Sequence, residues 1–252
     1  MANRQLEAHP TGPAADASPS AGTARLDHPI GQDAVPGAVL DGPSVDVRVV
    51  AFTVAGGALQ VALDGGPDAA RIPRGKPSPA EPLDAAARRI ARAALGLQEQ
   101  YLEQLYTLSL PEPPRWTVIV GYLALVSSGR GGAPPGDGAW SDTADLPALA
   151  PADRMVADYA LTRLRAKLGY TNIAFHLLPE TFTLTELQHA YETILAGRLD
   201  KRNFRRRVIA SGILVQTPDK RRDGSHRPAA LYRFRPGDDR ETYLPPPWAA
   251  GA

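Results

Sequence analysis

The chain has 252 residues, enough for one large domain or two modest ones, and its 28 lysines and arginines nearly balance 27 aspartates and glutamates. The net charge of +1 therefore indicates no class of partner. The absence of cysteine excludes disulfides, thiol catalysis and cysteine-ligated zinc, and the five histidines show no metal-ligand spacing.

The sequence also argues against a membrane or secreted protein. Its apolar runs all fall short of the ~20 residues that a membrane-spanning helix needs. The N-terminus lacks the short apolar core behind a basic start that marks a signal peptide. We therefore expect a cytoplasmic protein that has no membrane partner.

Residues 1–43 are rich in Ala, Pro, Gly, Asp and Ser and poor in aromatic and β-branched residues, which predicts a disordered tail. The alternating segment SVDVRVVAFTV (44–54) follows it. Gly56 and Gly57 then separate this segment from ALQVALD, and the combination predicts a β-hairpin.

The stretch GKPSPAEPLDAAARRIARAALGL (75–97) predicts an amphipathic helix that ends at Gly96. Its apolar residues at helical spacing are Leu83, Ala87, Ile90, Ala94 and Leu97. The runs YLEQLYTLSL and WTVIVGYLALV predict two further strands, and a Gly/Pro-rich loop follows at 128–138. These elements make up a predicted domain at 44–150.

A second helix is predicted from Pro151 to Leu168, with Met155, Tyr159 and Leu164 as its buried stripe. The segment TNIAFHLLP after it is predicted to be extended. We interpret 151–178 as a linker helix and a hinge between two modules.

The order of elements after the hinge is typical of a winged helix-turn-helix, predicted at 179–236. Thr183 and Glu186 form a capping-box pattern, and Gly197 is expected to end this helix. Asp200 can cap a basic helix at 201–211. The segments ILVQT and AALYRF predict a hairpin around the turn PDKRRDGSHRP, and a flexible tail is predicted at 237–252. The expected buried stripe of the first helix is Leu184, Leu187, Tyr191 and Ile194.

This module concentrates positive charge. Between Arg198 and Arg235 there are twelve lysines and arginines against three aspartates, whereas residues 1–197 carry a net charge of −6. With Phe204 and Val208 facing the core, the basic helix can present Arg and Asn to a DNA major groove, and the wing can contact phosphates or enter a minor groove. The alternative is an ordinary solvated basic surface. The predicted DNA-binding residues are Lys201, Arg202, Asn203, Arg205, Arg206, Lys220, Arg221, Arg222, His226 and Arg227.

The 75–97 stretch resembles the Nudix box, in which a glycine, a glutamate and an Arg-Glu-apolar-x-Glu-Glu-x-Gly-apolar segment occur at set spacing. Gly75, Glu81, Arg89, Gly96 and Leu97 fall in register. The positions of the metal-binding glutamates hold Ile90, Ala93 and Ala94, so the oxygen ligands that Mg²⁺ or Mn²⁺ needs are missing there. We therefore predict neither catalytic residues nor a metal site.

The chain resembles the NrtR family of Nudix-related regulators of NAD metabolism. The resemblance rests on the order of its strands and helices and on the segment FTLTELQHAYETILAGRLDKRNFRRRVIASGIL…RPAALYRF. The resemblance covers about residues 45–235 and is most specific over Phe182–Phe234. It implies an α+β chain in which a Nudix-like α/β/α sandwich senses a ligand and a C-terminal winged helix binds DNA. It further implies a homodimer on a palindromic double-stranded operator, and a nucleotide effector. ADP-ribose is the first expectation for that effector and NAD or ATP the next, with no cofactor.

The sequence departs from the family pattern at two places. LPALAPADRM has Ala152-Asp153 where an Asp-His pair is usual, and the segment around Arg115 is not arginine-rich. Four arginines lie on or beside the strands expected to line the sensor pocket, where each could pair with a ligand phosphate or be an ordinary surface charge. These are Arg48, Arg71, Arg74 and Arg115.

Two other functions remain open from the residues alone. A Nudix pyrophosphatase could bind its metal through other carboxylates, such as Glu81, Asp84 or Glu103. An RNA-binding adaptor is the other, although the sequence shows no platform of stacking aromatic residues.

Overall fold

The computed structural model describes residues 42–66, 69–96, 101–112, 115–128, 138–222 and 228–235. The two predicted tails, apart from residues 42 and 43, and most of the 128–138 loop lie outside these residues. The strands are β1 (Ser44–Ala55), β2 (Ala58–Leu63), β3 (Arg74–Gly75), β4 (Tyr101–Glu112), β5 (Arg115–Leu125), β6 (Ala139–Asp142), β7 (Leu214–Arg221) and β8 (Ala229–Phe234). The helices are α1 (Leu83–Leu95), α2 (Pro151–Lys167), a 3₁₀ helix (Ile173–Leu177), α3 (Leu184–Leu195) and α4 (Lys201–Ala210).

The larger sheet has the strand order β4-β5-β1-β2-β6, and β3 also pairs with β1. β1 runs parallel to β5 and antiparallel to β2 and β3. The predicted hairpin is confirmed, because Gly56 and Gly57 both have positive φ, at 59° and 81°, and form the two-residue turn between β1 and β2. Glycine adopts this conformation without steric cost, and such turns match the twist of the paired strands.

Both faces of the sheet are covered by helices. In β1 the residues Val47 and Val49 belong to the core under α1, whereas Val50 and Phe52 belong to the core on the α2 side. A strand buried on both faces needs apolar residues in nearly every position, as this one has from Val49 to Val54. The predicted α/β/α sandwich is confirmed.

Helix α2 approaches the sheet closely at one point. A Cβ added to Gly121 of β5 would lie only 3.2 Å from Cγ1 of Val156. The buried face of α2 includes Val156, Ala160 and Leu164. The predicted stripe is therefore wrong for Met155 and Tyr159, which are 49% and 45% exposed. The helical spacing of apolar residues predicted a stripe with large side chains. Because α2 lies so close to the sheet, the face that carries small alanines is buried instead.

Two further predictions in the linker and in α3 are corrected. The segment after α2 is a 3₁₀ helix with Ile173 and Leu177 buried, because its apolar residues join the core instead of exposing an extended hinge. Helix α3 ends at Leu195, and its C-cap is Ala196, which takes the left-handed conformation with φ 53°, rather than Gly197.

The winged helix-turn-helix order is confirmed. The capping box of Thr183 and Glu186 has both of its hydrogen bonds, and Asp200 accepts a 2.7 Å hydrogen bond from the backbone N–H of Asn203. The ring of Phe204 packs edge-on against Tyr191, with centroids 5.3 Å apart. β7 continues to Arg221, so residues 218–221 belong to the strand and not to the turn, because Lys220 and Arg221 pair with β8.

A buried ion pair connects the sheet to α2. Arg48 of β1 is 3% exposed, and its Nη1 lies 2.7 Å from Oδ1 of Asp153, whose side chain is 1% exposed. The Nε of Arg48 also donates to Asp46, at 2.9 Å. Removing one partner of such a pair leaves an uncompensated buried charge, which is costly.

We expect Asp153→Ala to lower the free energy of unfolding by ~3–5 kcal/mol, because Arg48 would remain buried with only Asp46 opposite it. Arg71→Ala is the matched control, since it breaks an ion pair with Asp64 whose side chains are 42% and 43% exposed. Exposed pairs contribute ~0–1 kcal/mol. Urea titrations of both variants measure the difference, and equal losses would contradict the role given to Asp153.

Candidate functional site

The first candidate surface is the outer side of α4. Phe204 and Val208 are buried against the core, which turns Lys201, Arg202 and Arg206 to the exposed side. Asp200, which caps the helix, is the only acidic residue between 198 and 210. The surface therefore combines dense positive charge with a helix N-terminus, a combination suited to anionic polymers.

The structure distinguishes the basic residues of α4 by their partners. The Nη2 of Arg205 donates to Oγ1 of Thr185 on α3, at 2.9 Å, so Arg205 is held against the preceding helix. The Nη2 of Arg206 donates to Oδ1 of Asn203, at 3.0 Å, and this pair presents a guanidinium and an amide together. Of the predicted base-reading positions, Arg202 and Arg206 are exposed, whereas Asn203 and Arg205 are half-buried.

The wing supplies a second set of basic residues. Lys220 and Arg222 are exposed. Arg221 instead donates its Nη1 to Oε1 of Glu186 and its Nη2 to the carbonyl oxygen of Thr181, at 3.3 Å. In this structure Arg221 fastens the wing to the start of α3. The predicted contacts of His226 and Arg227 lie outside the described residues.

The second candidate region is the box stretch around α1. The guanidinium of Arg89 donates to both carboxylate oxygens of Glu81, at 2.9 and 2.7 Å, and to the carbonyl oxygen of Lys76. The backbone N–H of Ser78 donates to Glu81 as well. The hydrogen bonds from Arg89 and then from Ser78 lower the pKa of Glu81 to about 2. Glu81 and Arg89 thus hold the 76–81 loop on α1.

The glycines of the box have geometric roles. A Cβ on Gly75 would lie 3.3 Å from Cγ1 of Ile90, so glycine lets β3 approach α1. Gly96 ends α1 in the left-handed conformation, with φ 64°, and its N–H donates to the carbonyl oxygen of Arg92. Leu97 lies outside the described residues.

A cleft of about 220 Å³ lies beside this stretch. It is lined by Asp64, Pro73, Arg74 and Arg89 and by the three box positions without carboxylates, namely Ile90, Ala93 and Ala94. Ile90, Ala93 and Ala94 offer no oxygen to a cation. Asp64 is paired with Arg71 and Arg89 with Glu81, so Arg74 is the residue whose charge favours an anion in the cleft. The sequence contained Arg89 in its box register but did not indicate Asp64.

The carboxylates proposed as substitute metal ligands are dispersed. Glu81 is paired with Arg89, and Asp84 accepts a 2.7 Å hydrogen bond from the hydroxyl of Tyr122. Glu103 belongs to a third network on the α2 side, where Lys167, at 2.6 Å, and Arg163, at 2.8 Å, pair with it and Tyr101 donates to it. Burial acts to raise the pKa of Glu103, but these hydrogen bonds hold it below its ordinary value. Within the described ranges, no three His, Asp or Glu residues are placed to share a metal ion.

The predicted ligand-binding arginines are divided among different places. Arg74 lines the cleft and is exposed, and Arg71 lies beside it through its 2.8 Å ion pair with Asp64. Arg48 is corrected, because it is buried on the α2 side of the sheet and paired with Asp46 and Asp153. The side chain of Arg115 lies outside the described residues. Ligand binding by Arg71 and Arg74 stays a prediction.

No helix in the described part of the chain is long and apolar enough to cross a membrane.

Comparison with known proteins agrees with this arrangement. The family model of the NrtR DNA-binding winged helix domain matches residues 174–234. The ADPR responsive transcriptional repressor NtrR of Acinetobacter baylyi is 35% identical over 159 residues, which are 60% of this chain. The matched part spans 63% of the length of that relative.

Solved structures extend the match beyond the winged helix. NrtR of Shewanella oneidensis, crystallised with a 27mer DNA, is 30% identical and superposes with a TM-score of 0.69 over 76% of this chain and 94% of that one. A MutT/nudix family protein of Enterococcus faecalis is 20% identical, with a TM-score of 0.60 over 81% of this chain and 90% of its own, and supports the fold alone. With its winged helix, its Nudix-like sandwich and this likeness over 94% of a relative that is 30% identical, the chain belongs to the NrtR family.

Proposed function

We propose that the chain is a DNA-binding transcriptional repressor of NAD biosynthesis or salvage genes. Its sandwich domain would bind ADP-ribose or a related NAD metabolite without hydrolysing it. The observation that carries this proposal is the basic outer side of α4, presented by a capped helix and flanked by the wing. Two relatives support it by name, one as an ADPR responsive repressor and one as a protein crystallised with DNA.

Helix α4 and the wing would contact different parts of the DNA. In a helix-turn-helix the N-terminal half of the second helix meets base edges in the major groove. Arg202 and Asn203 occupy this half of α4, and Arg206 follows directly after it. Lys220 and Arg222 lie on the wing and suit phosphate contacts, which position a protein on DNA without reading sequence. A homodimer would place two such surfaces on a palindromic operator.

A route for coupling the two modules exists in the core. One hydrophobic cluster includes Phe52 of β1, Leu164 of α2, Leu187 of α3 and Phe204 of α4. The Nε of Arg165 on α2 also donates to the carbonyl oxygen of Ile194 on α3, at 2.9 Å. A ligand in the sandwich changes DNA affinity only if it binds the two arrangements of these modules with different affinities.

The competing proposal is an active Nudix pyrophosphatase. It needs several carboxylates around one cation, whereas Glu81, Asp84 and Glu103 belong to separate hydrogen-bond networks. It also leaves the basic surface of α4 without a purpose. The repressor accounts for both features.

We expect Arg206→Ala and Arg222→Ala to weaken DNA binding in different ways. Loss of a base contact at Arg206 should cost ~1–3 kcal/mol and relax preference at one base pair. Loss of a phosphate contact at Arg222 should weaken operator and random DNA alike and reduce the salt slope by ~1. Fluorescence anisotropy with both DNAs, from 50 to 200 mM salt, measures these effects.

Lys76→Ala is the matched control, because Lys76 is an exposed basic residue on the sandwich domain and its loss should change neither quantity. Wild-type protein that shows no salt-dependent binding to DNA would overturn the proposed function.

We expect the purified protein to show no hydrolysis of ADP-ribose with magnesium or manganese, because aliphatic residues occupy positions 90, 93 and 94. Chromatography of the nucleotide products over time tests this, with an active Nudix hydrolase as the positive control. Turnover of ~1 per second or faster would favour the pyrophosphatase.

We expect Arg74→Ala to weaken ADP-ribose binding by ~1.5–3 kcal/mol, as for a lost charged hydrogen bond. The control is Arg92→Ala, on the exposed side of α1 and outside the lining of the cleft. Calorimetry of ADP-ribose, NAD and ATP measures affinity, and operator titrations at rising nucleotide concentration measure the coupling. Equal losses in both variants would remove the cleft from the proposal, and the absence of any nucleotide effect on DNA affinity would remove the sensor role.

A further inference from the structure

A second pocket lies on the α2 side of the larger sheet, whereas the cleft beside the box stretch adjoins α1. It has a volume of about 500 Å³, which is within the range of small-molecule sites. Its walls come from the start of β4, the end of α2 with the 3₁₀ helix after it, and the end of β8, and we call it the α2–β8 pocket. The lining side chains with rings or polar groups include Tyr101, Lys167, Asn172, Phe175, His176 and Phe234.

Aromatic rings from three elements line the pocket. The ring centroids of Tyr101 and His176 lie 4.9 Å apart, as do those of Phe175 and Phe234. All four side chains are half-buried, so part of each ring remains accessible to a ligand. Offset and edge-to-face contacts with such rings stabilise a flat aromatic ligand beyond the effect of its buried area. The pocket therefore suits a planar ring.

One side of the pocket carries a buried ammonium group. Lys167 is 6% exposed, and its Nζ donates to the hydroxyl of Tyr101, at 2.9 Å, and to Oε2 of Glu103, at 2.6 Å. Burial acts to lower the pKa of Lys167, but the hydrogen bonds with Glu103 and Tyr101 hold it above its ordinary value. The ammonium group is therefore charged at neutral pH.

The charges next to the pocket favour an anionic ligand. Arg163 pairs with the same carboxylate, with its Nη2 2.8 Å from Oε1 of Glu103. Two cations and one carboxylate give these three side chains a sum of +1. Because Lys167 lines the pocket at a place partly withdrawn from water, its attraction for a negative group is stronger there than on an open surface. A ligand with a carboxylate beside its ring would use both features.

A purely structural role explains only part of this arrangement. The contacts of Glu103 with Lys167 and Arg163 join β4 to α2, and they would do so without a cavity beside them. Protein interiors are close-packed, and a hollow of this size would normally be filled by side chains if it served the fold alone. An apolar pocket in which a few polar groups converge is instead typical of a ligand site.

We propose that the α2–β8 pocket binds a small aromatic carboxylate. The ring of the ligand would lie among Tyr101, Phe175 and Phe234, and its carboxylate would face Lys167. Asn172 also lines the pocket, and its side-chain amide can donate a hydrogen bond to the carboxylate. This site goes beyond the proposed function, in which the nucleotide effector is assigned to the cleft beside the box stretch, and it gives the chain a second small-molecule ligand.

The experiment titrates the full chain, without DNA, with three probes and follows the ligand signals by NMR. Benzoate has both a planar ring and a negative charge, benzamide has the ring without the charge, and cyclohexanecarboxylate has the charge without a planar ring. Titration to ~10 mM allows for the weak affinity of ligands of this size. We expect benzoate to bind at least ~10-fold more tightly than either of the others, because each of them lacks one of the two matched features.

A first variant locates the ring of the probe. Phe234→Leu removes an aromatic ring but keeps an apolar side chain, and we expect it to weaken benzoate binding ~5-fold. Trp116→Leu is the matched control, since Trp116 is 59% exposed and lies outside the lining of the pocket.

A second variant locates the charge. Lys167→Gln should abolish the preference for benzoate over benzamide, whereas Lys76→Gln, at an exposed lysine outside the pocket, should keep it. A merely structural role of Lys167 would not change this ratio. Circular dichroism shows whether each variant is folded. If Lys167→Gln does not fold, Asn172→Ala gives the same comparison, since it should weaken benzoate more than benzamide.

Each outcome decides the proposal separately from DNA binding. Absence of saturable benzoate binding, or equal affinity for benzoate and benzamide, overturns it. Equal losses in Phe234→Leu and Trp116→Leu overturn it as well. Loss of benzoate binding in Arg74→Ala, with Phe234→Leu unaffected, would move the ligand to the cleft beside the box stretch and remove this site. Operator binding is measured on the same samples, so failure of the repressor and failure of the pocket are distinguishable.

Discussion

The structure depends on a strand that is covered on both faces. Strand β1 lies at the centre of the larger sheet, and side chains from Val49 to Val54 are excluded from water on either the α1 or the α2 side. Among its buried side chains the charged one is Arg48, which is compensated by Asp46 and Asp153. Because Asp153 belongs to α2, this ion pair ties the linker helix to the sheet, and α2 in turn continues the core into the winged helix.

The box stretch shows how a catalytic motif can survive as structure. Gly75 permits a close approach, Glu81 and Arg89 fasten a loop, and Gly96 ends a helix. All of these residues stabilise the fold, and none of these roles needs a metal ion. The positions that would need carboxylates for catalysis instead hold aliphatic residues, which line a cleft together with Arg74 and Arg89. The fold of the cleft is therefore compatible with binding an anionic ligand, independent of hydrolysis.

In the winged helix, side chains that suit a functional role also hold the fold together. Glu186 completes the capping box through one oxygen and accepts from Arg221 of the wing through the other. Arg205 is held by Thr185 of the neighbouring α3. These contacts hold two predicted DNA-facing arginines against the protein, whereas Lys201, Arg202, Arg206, Lys220 and Arg222 are exposed. The basic residues of this module therefore have two roles: some hold its elements together, and others make its outer surface positive.

Local signals in the sequence were sufficient for most elements and for the degenerate box, because hairpin glycines, caps and alternating strands act over a few residues. They predicted the β1–β2 turn, the capping box of α3 and the buried Phe204. Tertiary packing decided the rest. Only the approach of α2 to Gly121 selects which apolar face of that helix is buried, and only the folded sheet brings Arg48 to Asp153 and Asp64 to Arg74. Such contacts join residues far apart in the chain or on either side of a loop, where no periodicity can indicate them.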